Sequence, residues 1–206
     1  MSIRTDRQER ARQRSRRDIL LASAEVFARR GFASATLAEL AEAAGYAPAS
    51  LYRYFTSKEE IFRSLLELVE GEFAATFEEP VDDGAPLAAR LEALLLAQYR
   101  LVQSRQPVFD LLAQAPSGPD GRVLHDPGAG IVRYAELLLG WMRRHVGAGE
   151  LRHPVEDVAR ALAGIAFSFH QHGRAAGALA AGHTALIVDL ALNGVAAPHH
   201  RRGTHP

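Results

Sequence analysis

Nowhere in this 206-residue chain do polar and apolar residues alternate with period two. A half-buried strand needs that alternation, so a sheet has nothing to be built from. Apolar residues recur instead at i, i+3, i+4 and i+7, the spacing that paints one face of a helix. Val, Ile and Thr are sparse, while Ala and Leu abound. The chain reads as all-α. With 48% hydrophobic and 23% charged residues it is globular and long enough to bury a sizeable core.

Gly and Pro punctuate the helical pattern. In 16–30, Ile19, Val26 and Phe27 point inward, and Gly31 marks the stop. Thr36 precedes Leu37, Leu40, Ala41 and Ala44. It is an N-cap, and Glu39 three residues on completes a capping box. Gly45 ends that helix. A short third helix spans about 48–54, with Pro48 suited to its first turn. Ser57 caps a fourth, again with a Glu three residues on (Glu60), and Ile61, Leu65, Leu68 and Phe73 face inward. Glu78–Gly84 is a breaker-rich acidic linker. Five more helices follow at about 86–104, 107–114, 129–147, 155–174 and 183–196.

Charge is uneven. Lys+Arg and Asp+Glu both number 24, yet residues 1–17 hold seven Arg against Asp6 and Glu9, a net +5. Residues 1–14 read as a disordered basic arm, either simply solvated or phosphate-seeking. The polar tail 198–206 reads as disordered too. No Cys is present, so disulfides, thiolate metal sites and a Cys nucleophile are excluded. No apolar run reaches the roughly 20 residues of a membrane span, and no signal-peptide core precedes the first helix. A cytoplasmic protein without membrane, metal or cofactor is expected.

The segment 36–55 is two short helices around a Gly-containing turn, the unit that lays its second helix in a major groove. That second helix concentrates Ser50, Tyr52, Arg53 and Tyr54, with Lys58 beyond. Hydroxyls, a guanidinium and an ammonium are groups that bind phosphate oxygens. The same pattern equally fits Tyr52, Tyr54 and Phe55 as core aromatics of a bundle.

Gly31-Phe32, Thr36-Leu37, Leu40-Ala41, Ala44-Gly45 and the run Leu51-Tyr52-Arg53-Tyr54-Phe55, then Ser57-Lys58-Glu59-Glu60-Ile61, closely resemble the TetR family of bacterial transcriptional regulators. The resemblance covers about residues 15–75. It implies that Thr36 meets a phosphate, that Pro48, Ala49 and Arg53 face bases or flanking phosphates, and that Ser50, Tyr52 and Tyr54 grip the backbone or thymine methyls. It also implies that Lys58 holds a phosphate at the start of the fourth helix. The family usually has a Ser where Ala47 stands, so the third helix should lack its N-cap.

The resemblance further implies an N-terminal three-helix helix–turn–helix DNA-binding domain at 15–75. A larger helical domain at 76–197 would follow, for ligand sensing and dimerisation. The residues allow both roles. Val158, Leu162, Ile165 and Phe169 form a stripe among small neighbours, and 183–196 repeats the pattern. Two copies of 155–196 would pair as a four-helix bundle in a homodimer. Tyr99, Phe109, Tyr134, Trp141, Phe167 and His170 are the candidate lining of an effector pocket, with Met142 beside them. His170 and His172 fall on opposite helix faces and cannot share a metal.

The expected function is a ligand-responsive repressor binding double-stranded operator DNA, with an unidentified small-molecule effector. Two rivals are a helical adaptor that does not bind DNA and a small-molecule-processing enzyme. No phosphate-cradling Gly loop, nucleophile elbow or HExxH motif supports an enzyme. The cations Arg53 and Lys58 on the reading surface have no use in an adaptor.

Overall fold

The computed structural model describes residues 3–113, 127–175 and 182–193, and within them every regular element is helical. The order is α1 (Ile3–Arg30), α2 (Leu37–Ala43), α3 (Pro48–Leu51), α4 (Lys58–Ala75), α5 (Leu87–Ser104), α6 (Gln106–Ala113), α7 (Pro127–His145), α8 (Val155–Ala175) and α9 (Gly182–Asn193), with a 3-10 turn at Thr76–Glu78. Among the described residues no helix is long and apolar enough to cross a membrane. The tail 198–206 and the side chain of His170 lie outside the described residues.

One expectation is corrected at the N-terminus. Residues 3–14 are not a disordered arm but the leading turns of α1, which runs unbroken for 28 residues. The segment lacks an apolar stripe, which is why it reads as disordered. Two other factors outweigh that. Arg, Gln and Ala are good helix formers, and extending a helix already nucleated at Ile19–Phe27 needs no new nucleation. Pairs one turn apart add a little: Arg10 Nε donates to Asp6 at 3.3 Å, and Gln13 Nε2 to Glu9 at 2.7 Å.

The chain forms two compact units, Met1–Glu79 with Ala97–Arg133, and Pro80–Leu96 with Tyr134–Pro206. The first is built on α1. Its apolar face meets α2, α4 and α6, and Ile19, Phe27, Leu40, Ile61 and Leu65 are fully buried. Phe27, Phe32 and Phe62 meet ring to ring, with centroids 5.3–6.2 Å apart. From α6, Val108 and Leu111 join this core and Phe109 packs against it. Glu72 on α4 accepts from Arg105 at 2.8 and 3.1 Å and from Arg17, tying α1, α4 and the start of α6 together.

In the second unit α8 packs on α9, and Trp141, Met142, Leu138, Leu162 and Ala166 are buried. Arg90 is almost fully buried and donates to the His145 carbonyl and to Glu150. A buried guanidinium is tolerable only with such partners. His145 Nδ1 lies 2.8 Å from Asp83, and its ring lies 5.0 Å from that of Trp141.

Candidate nucleic-acid interface

The helix–turn–helix is built as its residues dictate. Gly31 closes α1 with φ +76° and donates to Phe27 O at 2.9 Å. Thr36 Oγ1 accepts from Glu39 N at 3.3 Å, while the Glu39 carboxylate accepts from Thr36 N at 2.9 Å, so the expected capping box is complete. Arg30 also donates to Glu39. That guanidinium, followed by the Thr36 N–H and hydroxyl, lowers the Glu39 pKa to about 2.

At the other end of α2, Tyr46 N donates to Ala41 O at 2.8 Å and Gly45 N to Glu42 O at 3.0 Å. This is a Schellman motif, and it requires the left-handed φ of +74° that Gly45 adopts. It turns the chain into α3 within four residues.

α3 starts at Pro48, and its cap residue Ala47 makes no side-chain hydrogen bond, as its missing hydroxyl requires. Leu51 and Phe55, at 1% exposure each, fasten the segment to the core. Pro48, Ala49, Tyr52 and Arg53 face outward, and Ser50 is half-buried. Tyr52 is 59% exposed. The three aromatics therefore have different roles. Phe55 is core and Tyr52 is surface. Tyr54 is half-buried, packed edge-to-face against Tyr46 at 5.7 Å. Tyr46 thus packs on the reading unit.

Lys58 has partners within the protein. Its ammonium donates to the carbonyls of Phe32, Ala33 and Ala35 at 3.0, 2.8 and 3.3 Å and sits 4.9 Å from the Phe32 ring centroid. In this structure its three protons are directed at the α1–α2 loop. Ser57 caps α4 through Glu60 N at 3.1 Å as expected, but the Glu60 carboxylate turns to the N–H and hydroxyl of Thr56, both at 2.7 Å. Those bonds, the N–H first, lower its pKa.

Sequence reasoning missed Arg16, which donates to the Tyr54 carbonyl and lies 4.2 Å over the Phe55 ring. The contact joins residues 38 positions apart. Nothing in local spacing signals it.

The candidate effector residues divide between the units. Tyr99 and Phe109 belong to the first, Tyr134, Trp141 and Phe167 to the second. Phe109 packs against the helix–turn–helix core. Trp141 and Tyr134 are 1% and 6% exposed, and burial pushes the Tyr134 hydroxyl well above its usual pKa. Phe167 is half-buried.

Residues 19–65 match the model of the bacterial regulatory proteins, tetR family. The chain is 33% identical over 88 residues to the transcriptional repressor KstR2 of Mycobacterium tuberculosis, covering 43% of this chain and 44% of that one. It is 31% identical over 144 residues to the transcriptional regulator RutR of Escherichia coli, covering 68% of this chain and 67% of that protein. Its fold follows the TetR-family transcriptional regulator PfmR of Thermus thermophilus with a TM-score of 0.65, at 27% identity over 87% of this chain and 99% of that one. The KstR2 alignment thus spans less than half of that repressor, whereas the RutR alignment runs past the helix–turn–helix. Together with the capped and Gly45-turned unit that carries the motif, these matches place the chain in the TetR family of bacterial regulatory proteins.

Proposed function

We propose that this protein is a ligand-responsive transcriptional repressor that binds a palindromic operator as a homodimer. The observation that carries the reading is Tyr52. A tyrosine 59% exposed beside the exposed Arg53, in the turn that directly follows the four-residue helix α3, contributes little to the core. Its value lies in what it can touch outside. In this reading α3 enters the major groove, Pro48, Ala49 and Arg53 face bases or flanking phosphates, and Ser50, Tyr52 and Tyr54 hold the backbone. Thr36 meets a phosphate at the start of α2. Lys58 acts by holding the loop that presents Thr36.

Dimerisation falls to 155–196, where α9 carries Leu186 at 43% exposure. The effector is a small, largely apolar or aromatic molecule bound beside Trp141, Tyr134 and Phe167. It releases DNA by favouring a non-binding arrangement of the two reading heads. Reversing a 99:1 population takes about 5.5 kcal/mol of differential affinity.

The test is selection of duplex fragments from the source genome with purified protein, then footprinting. Two symmetric half-sites about one helical turn apart, roughly 10 bp or a multiple, are expected. One asymmetric half-site bound by a monomer would overturn the reading.

A further inference from the structure

We propose that the leading turns of α1 form a rigid cationic rail that binds the phosphate backbone of duplex DNA flanking the site read by α3. The proposal rests on the DNA-binding reading above and adds a second contact surface to it.

Four observations carry it. First, residues 5–14 are helical yet exposed at every position, and Ala11 is their only apolar residue, so no apolar partner can cover them. Second, Arg7, Arg10, Arg14 and Arg17 follow at steps of three, four and three residues, which keeps them on one helix face. Third, Arg7 and Arg14 have no ion-pair partner among the described residues, and Arg10 has only the exposed Asp6. An exposed pair of that kind gives way readily to a phosphate. Fourth, the base of the rail is fastened to the segment that follows α3. Arg16 donates to the carbonyl of Tyr54 and covers the Phe55 ring, and Arg17 pairs with Glu72 on α4.

The fourth observation selects the partner. A mobile basic arm could meet any polyanion. A helix anchored where the recognition segment ends lies within reach of whatever that segment binds. At 1.5 Å per residue, residues 3–15 extend about 20 Å, or roughly six base-pair steps of 3.4 Å. The contact is to phosphates, so it adds affinity and salt dependence but no sequence preference.

The experiment compares the full chain with Arg7→Ala/Arg14→Ala and with Ala11→Pro. One genomic duplex recovered by selection is used, extended by ten base pairs at each end, and read by hydroxyl-radical footprinting and salt titration. For Arg7→Ala/Arg14→Ala, the expected result is loss of backbone protection outside the half-sites, with protection inside them kept and an unchanged melting temperature. Its salt slope should fall by about 1.8 per bound protomer, from about 0.9 per phosphate. The parent should then lose about twelvefold more affinity per protomer than the variant between 50 and 200 mM salt.

Ala11→Pro keeps every charge but breaks the rail. It should lose the same outer protection. Outer protection and slope equal to the parent in Arg7→Ala/Arg14→Ala would overturn the proposal, and this includes the case where the arginines serve an acidic protein instead. An Ala11→Pro variant that binds like the parent would overturn the rigid rail. A parent that binds no duplex at all would overturn the DNA reading, and the rail with it.

Discussion

Lys58 Nζ donates to the carbonyl of Ala33 at 2.8 Å, across 25 positions of sequence. With the carbonyls of Phe32 and Ala35 also within reach, the first residue of α4 closes the loop that leads into α2. A cation at a helix N-terminus is disfavoured by the helix dipole, and the three carbonyls offset that. The bond ties α4 to the loop that ends at Thr36, the cap of α2.

Lys58→Met should therefore behave as a loss of structure, not as the loss of a phosphate contact. Hydrogen bonds to a charged group are worth about 1.5–3 kcal/mol when buried, and Lys58 is half-buried, so a loss of about 1–2 kcal/mol is expected. Urea denaturation measures it. Binding to a selected duplex should weaken with its salt slope nearly intact. A slope lower by about 0.9 with unchanged stability would return Lys58 to the phosphate.

The capping box gives the N-terminal unit an acid limit. The pKa of Glu39 is about 2 in the folded chain, against 4.5 for an ordinary glutamate, because it accepts from Arg30 and from Thr36. A carboxylate with a lowered folded pKa stabilises fully above its unfolded value, and loses that contribution as pH falls through the folded one. The Glu39 contribution should fade between about pH 4.5 and pH 2. Glu39→Gln should be less stable than the parent at pH 7 and converge on it towards pH 2. Thermal melts across that range check it. Parallel curves at every pH would mean that Glu39 carries no linked proton.

How much of this was legible beforehand depends on the range of the interaction. The Thr36 cap, the Gly45 turn and the uncapped Ala47 are local, because side-chain and backbone partners lie within four residues, and the sequence alone predicts them. The helices follow for the same reason, since Gly and Pro punctuate a 3.6-residue pattern. The contacts of Lys58, Arg16 and Phe109 are not legible in the sequence, because their partners are 23–38 residues away or on another helix. A cation near a DNA-binding motif reads as a phosphate ligand when its own carbonyl partners cannot be seen. The leading turns of α1 were missed for a different reason. Apolar periodicity detects helices that pack, and this stretch packs on nothing.

Trp141 gives a direct test of the effector site. The side chain is 1% exposed, so Trp141→Ala would cost about 3–5 kcal/mol by cavity formation and confuse unfolding with lost binding. Trp141→Phe keeps an aromatic ring in the core and is the better variant. A compound that releases DNA should change the emission of this sole tryptophan. The same compound should release Trp141→Phe less readily, with affinity for the selected duplex little altered. If Trp141→Phe responds like the parent, the pocket lies away from α7.

Adjacent residues where α3 ends separate recognition from folding. Leu51 is 1% exposed and Tyr52 is 59% exposed, one position apart. Leu51→Ala removes a fully buried side chain and should cost about 2–5 kcal/mol of stability. Tyr52→Ala removes a side chain that faces outward, and its effect on stability should stay within about 0.5 kcal/mol. Binding should show the reverse emphasis. Under conditions where both variants are folded, checked by far-UV circular dichroism, Tyr52→Ala should bind a selected duplex more weakly than Leu51→Ala. Part of the loss should be shared by all sequences, because a backbone contact carries position rather than identity. Should Tyr52→Ala unfold as readily as Leu51→Ala, the ring is core after all. Should it remain folded and bind like the parent, α3 does not touch DNA through Tyr52, and the observation on which the repressor reading rests is withdrawn.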